Sequence, residues 1–160
     1  MDLNDLVFGI AVLVTAYLVG AIPPGHILAR RTGRDISTMG SGNVGALNAL
    51  RSPGKRAAAV VFVGDVGNAS PVMLVVIAIS APDWSMYAAA VATMLGHNFS
   101  VYIGFRGGKG AAVMTGVSLV VLPYLTLLSV PALILGYLIF RSAFWGMMMT
   151  FISINTLTIV

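Results

Sequence analysis

Two short segments of the sequence combine glycines with cations and small polar side chains. The first is GSGNVGALNALR, residues 40–51, in which Gly42 and Gly45 allow positive φ and a close backbone approach to a ligand. Its polar side chains are those of Ser41, Asn43, Asn48 and Arg51. Successive backbone N–H groups in such a turn bind anions, and a helix that begins after Gly45 would add its dipole. This segment is therefore predicted to bind a phosphate-like anion.

The second segment, GFRGGKGAA at residues 104–112, repeats that design with different residues. Its candidates for ligand binding are Arg106, Gly107, Gly108, Lys109 and Gly110. It is not a nucleotide-binding P-loop, because Ile103 stands where the first glycine should be and Gly110 replaces the Ser/Thr after the lysine. Cations beside a membrane span are also topology markers, but a marker does not need three glycines, each of which adds backbone entropy to the cost of folding. A phosphate site at the membrane edge is the favoured interpretation.

Two ionisable residues lie inside apolar runs, where charge is costly. His97, about two helical turns before the second segment, is either a hydrogen-bonding group of the helix bundle or a proton acceptor. Asp65 must face a partner or a polar cavity, and an ion pair with a loop cation is favoured over general-base chemistry. His26 is assigned to the membrane interface.

The composition of the chain predicts an integral membrane protein. Of its 160 residues, 58% are hydrophobic and 9% are charged, whereas soluble domains carry about 25% charged residues. The sequence has no cysteine and no His/carboxylate pair at metal-ligand spacing, so no metal site is predicted. No cofactor is expected either. The net charge is +4, and the cations that produce it lie at the ends of the apolar runs. This position indicates that they set the membrane topology and face an anionic ligand or membrane lipids rather than nucleic acid.

Three apolar runs in the first two thirds of the chain are long enough to cross a bilayer as helices, at residues 6–29, 57–80 and 86–105. Pro23 and Pro24 should bend or end the first of them. Six of the nine cations lie between the first two runs. By the positive-inside rule this loop is cytoplasmic, the N-terminus is outside, and the second glycine segment returns to the cytoplasmic face.

The last third of the chain continues the same pattern. Residues 111–140 are long for one helix and short for two, and Pro123 and Pro131 favour a broken or re-entrant pair. Residues 142–160 provide one more crossing. The sequence therefore predicts an all-α, polytopic transmembrane helix bundle of about five to six membrane segments, in a single integral membrane domain over 1–160.

Both segments resemble motifs of one family, the bacterial acyl-phosphate:glycerol-3-phosphate acyltransferases (PlsY). The stretch from AYLVGAIPPG to GSGNVGALNALR is similar to that family's Y-L-x-G-S-I-P and D-I-R-x-x-G-S-G-N-x-G-A-T-N-x-x-R. GHNFSVYIGFRGGKGAA is similar to its G-H-x-F-P-V-F-x-x-F-K-G-G-K-G-V-A. The resemblance covers about residues 16–116. It implies a polytopic helical enzyme of phospholipid synthesis that uses neither acyl-CoA nor a metal.

The resemblance also implies roles for individual residues in transferring an acyl chain from acyl phosphate to the 1-hydroxyl of glycerol 3-phosphate, which gives lysophosphatidic acid. Arg51 and Lys109 would hold the phosphate of glycerol 3-phosphate, and Arg106 would balance charge on the departing phosphate. The proton acceptor would be His97 or the leaving phosphate itself. The catalytic set implied is Ser41, Arg51, His97 and Lys109. The substrate-binding set is Gly42, Asn43, Gly45, Asn48, Arg106, Gly107, Gly108 and Gly110.

Departures from the family pattern keep two alternatives open. Leu47 replaces a Thr, Arg106 a Lys and Asn68 the Lys of a D-x-x-K-G element, and the third motif, H-R-x-N-x-x-R-L, is absent. The chain is therefore expected to be C-terminally truncated, or to be a non-catalytic or split homologue that binds the phosphate ligand. A transporter of a phosphorylated solute is less favoured because the sequence shows no repeat symmetry. The expected location is a bacterial inner or plasma membrane, beside an acyl-phosphate-producing enzyme.

Overall fold

The computed structural model describes residues 3–33, 42–51 and 54–159. The contacts divide the chain into two units, Met1–Val117 and Ser118–Val160. The helices of the first unit are α1 (Leu3–Gly20), α2 (Pro24–Thr32), α3 (Ala46–Arg51), α4 (Lys55–Ala78) and α5 (Asp83–Asn98), followed by a 3₁₀ turn at Val101–Ile103 and the start of α6 (Ala111–Val121). The predicted all-α class is confirmed, while the single domain over 1–160 stays a prediction.

The break predicted at Pro23 and Pro24 is confirmed, because α1 ends at Gly20 and α2 begins at Pro24. The helix break at the two prolines separates the Ala21 and Ile22 carbonyls from the N–H groups four residues later, which would be their donors in a continuous helix. Side chains from later in the chain replace two of these donors. The Asn68 amide donates to the Ile22 carbonyl at 2.7 Å, and the Ser100 hydroxyl donates to the Ala21 carbonyl at 2.5 Å.

Helices α1 and α5 run parallel and pack closely. Gly9 lies beside the Trp84 ring near the start of both helices, whereas Gly20 lies against the backbone of Thr93 near their ends. At that end the Tyr17 hydroxyl donates to the Phe99 carbonyl at 2.6 Å. The second glycine segment follows α5 at this end of the first unit, and the first segment lies at the same end because its Val44 packs against Gly25 at the start of α2.

Small residues let α2, α3 and α4 pack together at this end. Ala29 of α2, Ala49 of α3 and Val61 of α4 form one buried cluster. Nearby, the Pro24 ring lies over Gly64, where a Cβ would come within 2.6 Å of it. This packing holds the first glycine segment beside α4, because α3 is the helix into which that segment leads.

Three stretches of the described chain are long and apolar enough to cross a membrane: Leu3–Thr32, Lys55–Ala78 and Pro123–Phe140. Shorter apolar helices lie at Ala111–Val121 and Phe144–Ile159. The 16 residues of α5 rise only about 24 Å, less than the roughly 30 Å of a hydrocarbon core. Helix α5 is therefore shorter than the predicted run over 86–105, and the chain turns back after it.

The second unit contains α7 (Pro123–Leu128), α8 (Val130–Phe140) and α9 (Ala143–Ile159). The prolines break residues 111–140 as predicted, with Pro123 opening α7 and Pro131 in the first turn of α8. Three helices result rather than two, but α7 and α8 together make one apolar stretch of 18 residues. Helices α8 and α9 meet at Gly136 and Gly146, where a Cβ on Gly136 would lie 2.9 Å from the Gly146 Cα.

The packing of α1 on α5 predicts that Gly96→Ala will destabilise the protein. A Cβ on Gly96 would collide with the Tyr17 carbonyl and lie 2.8 Å from the Ala21 nitrogen, and overpacking of this kind costs about 1–3 kcal/mol. Thermal unfolding in detergent measures the effect. Gly67→Ala is the matched control, because Gly67 is helical with nothing within 4 Å of its Cβ position. Equal unfolding temperatures for the two variants would contradict the packing described.

Candidate functional site

The second glycine segment folds back onto the end of α5. Just after that end, the Ser100 N–H donates to the Arg106 carbonyl at 3.1 Å, and the Phe105 N–H donates to the Ser100 carbonyl at 2.8 Å. Two residues further on, the Gly108 N–H donates to the His97 carbonyl at 3.1 Å. These bonds provide partners for backbone N–H and carbonyl groups that would otherwise be unpaired at the end of a helix.

Glycine is required in this segment for two different structural reasons. Gly107 and Gly108 lie so close to α5 that a Cβ on either would collide with it: the one on Gly107 with the His97 carbonyl, the one on Gly108 with the Nε2 of His97. Gly110 has φ +76, a conformation that side chains rarely adopt. The close backbone approach predicted for these glycines is thus made, at Gly107 and Gly108, to the protein's own α5.

Arg106 and Lys109 point their charge away from this packing. Both side chains are exposed, and within residues 3–33, 42–51 and 54–159 neither has an acidic partner. Helix α6 begins at Ala111, so its first free N–H groups follow Lys109 after one intervening glycine, Gly110. The structure therefore places two uncompensated cations beside a glycine turn and the start of a helix.

The first glycine segment is described from Gly42 onward, and Ser41 lies outside the described residues. Gly42 has φ +71, and the Asn43 side-chain oxygen accepts from the Gly45 N–H at 3.1 Å, which forms an Asx turn. Helix α3 then begins at Ala46, and Asn48 is buried within it. The backbone of Arg51 ends α3, but its side chain also lies outside the described residues.

A continuous path of contacts joins the two segments. Val44 of the first segment lies against Gly25 of α2, and the neighbouring Pro24 lies against Gly64 of α4. Asp65, the next residue of α4, approaches His97 of α5, which in turn carries the second segment. The structure therefore links the two segments through α2, α4 and α5, within one unit.

Asp65 and His97 form a buried pair, with 3.6 Å between Asp65 Oδ1 and His97 Nδ1. Side-chain exposure is 3% for Asp65 and 6% for His97. The sequence favours a loop cation as the partner of Asp65, whereas its partner in the described part of the chain is a histidine. The sequence also holds a signal for this pairing: the two residues lie at similar distances on either side of the short turn that joins α4 and α5, so antiparallel packing brings them level.

Two residues that sequence reasoning did not assign to the site help to position it. Asn68 stands where the family pattern has a lysine, and its amide holds the Ile22 carbonyl. Ser100 stands where that pattern has a proline, and it uses its N–H for Arg106 and its hydroxyl for Ala21. Neither role follows from residue type alone, because each bond to Ile22 or Ala21 joins residues far apart in the chain.

His26 lies in a shallow groove on the first unit. The groove has a volume of about 340 Å³ and is lined by Ile22, Pro23, His26, Ile27, Arg30, Tyr102 and Ile103. Its residues come from the start of α2 and from the 3₁₀ turn after α5. The groove thus combines an apolar wall with one cation at its edge.

Comparisons with known proteins agree on one family. A family model described as glycerol-3-phosphate acyltransferase matches residues 10–160. A glycerol-3-phosphate acyltransferase of Thermus thermophilus is 44% identical over 119 residues, covering 74% of this chain and 60% of the relative. Glycerol-3-phosphate acyltransferase 5 of Dehalococcoides mccartyi is 42% identical over 131 residues, covering 81% and 53%. The chain thus spans little more than half the length of these relatives.

Solved structures show the same fold. The crystal structure of PlsY, an integral membrane glycerol 3-phosphate acyltransferase, in its glycerol 3-phosphate form has a TM-score of 0.85 and 32% identity to this chain, and covers 91% of it and 74% of PlsY. The lysophosphatidic acid form has a TM-score of 0.83 with the same identity, and covers 91% and 73%. The described helices therefore have the arrangement of an integral membrane protein.

The hydroxyl bond of Ser100 predicts that Ser100→Ala lowers stability by about 1–3 kcal/mol, since the buried Ala21 carbonyl loses a donor. Ser100→Pro should lower it further. A proline fits φ −66 at this position, but it also removes the N–H that holds Arg106. Thermal unfolding in detergent is the measurement. Ser70→Ala is the control, because the Ser70 hydroxyl bonds only within its own helix; an equal loss there would refute the role given to Ser100.

Proposed function

Since the chain belongs to the glycerol-3-phosphate acyltransferase family, we propose that it moves an acyl chain from acyl phosphate to the 1-hydroxyl of glycerol 3-phosphate. The product is lysophosphatidic acid. One observation carries the proposal: two glycine segments leave the same end of the first unit, and the second displays Arg106 and Lys109 without an acidic partner among the described residues. That arrangement suits a dianionic phosphate.

Binding of glycerol 3-phosphate rests on positive charge and backbone donors. Lys109 supplies a point charge and Arg51 a forked donor that matches phosphate oxygens. The polar side chains of Ser41, Asn43 and Asn48, with the backbone of Gly42 and Gly45, complete the wall on the side of the first segment. The phosphate group is thereby held so that the 1-hydroxyl at the other end of the molecule faces the acyl donor.

Acyl transfer then requires little beyond positioning and charge balance. The 1-hydroxyl oxygen forms a bond to the carbonyl carbon of acyl phosphate, the bond from that carbon to the phosphate oxygen breaks, and phosphate departs. Acyl phosphate already carries a good leaving group, so held geometry and charge neutralisation provide much of the acceleration. Arg106 and the N–H groups of Gly107 and Gly110 balance the charge that grows on the departing phosphate. The hydroxyl proton passes either to that phosphate or to His97.

The membrane supplies the acyl donor and orients the site. The six cations within residues 30–56 favour a location of both glycine segments at the cytoplasmic face of a bacterial inner or plasma membrane. Acyl phosphate and membrane lipids reach the protein from the bilayer, while glycerol 3-phosphate arrives from the aqueous side. An enzyme that makes acyl phosphate is the expected metabolic neighbour.

Lys109→Ala should weaken catalysis by about ten- to hundredfold in kcat/KM for glycerol 3-phosphate, because one charge-assisted bond is worth about 1.5–3 kcal/mol. The assay uses purified protein in lipid bicelles with palmitoyl phosphate and labelled glycerol 3-phosphate, and it counts labelled lysophosphatidic acid. Lys55→Ala, which removes an exposed cation at the start of α4, is the control.

Calorimetry with glycerol 3-phosphate separates binding from turnover. Heat of binding that Lys109→Ala abolishes, together with labelled product from the unaltered chain, supports both halves of the proposal. Binding without product would refute the acyltransferase activity of this chain and leave a phosphate-binding homologue. If this chain gives neither heat of binding nor labelled product, while a full-length relative is active in the same bicelles, both the binding and the activity are refuted.

A further inference from the structure

We propose that Asp65 and His97 are positioning residues that hold the second glycine segment in place, and that His97 does not take the substrate proton. This inference rests on the proposed function for its kinetic consequences. It follows from what surrounds the imidazole, from where Asp65 lies and from the residue that the pair supports.

The imidazole of His97 has protein on both of its nitrogens. Nδ1 faces Asp65 Oδ1 at 3.6 Å, and Nε2 lies so close to the Cα of Gly108 that no side chain fits there. The residue is only 7% exposed. A proton acceptor must come within hydrogen-bond reach of the hydroxyl it deprotonates. In this arrangement the ring instead fills the space between α4 and the glycine turn.

Asp65 has a structural reason to be where it is. A carboxylate within a membrane-spanning helix is costly unless a partner faces it, and α4 presents Asp65 to the one histidine of α5. Its side chain is 3% exposed, so it does not serve as a surface charge. The carboxylate, 3.6 Å from Nδ1, therefore restricts rotation of the imidazole relative to α4.

The part of the chain held by the pair is the part that bears the cations. Gly108 contacts the ring through its Cα and donates its N–H to the His97 carbonyl, and Lys109 is the next residue. Rotation of the ring would shift Gly108 and with it the lysine. A displacement of about 1 Å at a positioning element weakens reactions severely. The pair thus acts on substrate phosphate binding rather than on proton transfer.

Kinetics of Asp65→Asn and His97→Gln distinguish positioning from proton transfer. Both variants introduce an amide of similar size that fills the site, and His97→Gln removes the basic ring. Positioning predicts a rise in KM for glycerol 3-phosphate of about five- to twentyfold, with kcat within about threefold. A fall in kcat of about 10²–10⁴ for His97→Gln with KM unchanged is the signature of a lost general base, and it would overturn the inference. The rise in KM of the double variant should be smaller than the product of the rises in the two single variants, because the residues act as one unit.

Amide hydrogen exchange tests the same inference without any turnover. Asp65→Asn and His97→Gln should speed exchange at the amides of residues 106–110 by about tenfold or more, because the Gly108 N–H bond to His97 is loosened. Asp83→Asn, which alters an exposed carboxylate in the first turn of α5, should leave these amides unchanged.

The two readouts separate the two proposals. Faster exchange at residues 106–110 in a chain that makes no lysophosphatidic acid would refute the activity and keep the supporting role of the pair. Unchanged exchange in both site variants would overturn the supporting role, whatever the activity. Faster exchange throughout the chain in both variants, as in general unfolding, would also count against it.

Discussion

The structure depends on closing a stretch of irregular backbone against the end of a short helix. Helix α5 ends at Asn98, and the chain must reach α6 while providing partners for the backbone groups that the helix end leaves free. It does so with the bonds from Ser100 and Gly108 and with glycines that allow the chain to lie directly on α5. The turn that results presents Arg106 and Lys109 outward. The exposure of these two cations therefore follows from the way in which the turn pairs its backbone N–H and carbonyl groups.

This constraint links the two glycine segments although they are distant in sequence. The break between α1 and α2 leaves carbonyls that Asn68 and Ser100 satisfy, and Ser100 also holds the turn after α5. Pro24 then sets the start of α2 against Gly64, beside the buried Asp65. Each part relies on a bond or a close contact supplied by another helix. A substitution that removes any of these contacts would alter the position of both segments.

Glycine serves several purposes in this chain, and only some of them concern a ligand. Gly20, Gly64 and Gly96 let helices approach one another, as is common for small residues at helix interfaces in membranes. Gly107 and Gly108 let a turn approach a helix, and Gly110 permits a left-handed backbone. In the second segment Gly107 and Gly108 therefore serve packing on α5, while Arg106 and Lys109 stay exposed.

The sequence by itself determined the membrane character, the helix breaks and the two cationic glycine segments. Hydrophobic run length, proline chemistry and local composition act between neighbours in the chain, so they can be interpreted without knowing the fold. Only the tertiary structure decided which groups meet: that Asp65 faces His97, that Ser100 and Asn68 donate to carbonyls before α2, and that Gly107 and Gly108 pack on α5. Most of those contacts join helices separated by tens of residues, and their geometry depends on helix direction and side-chain packing, which no local pattern encodes.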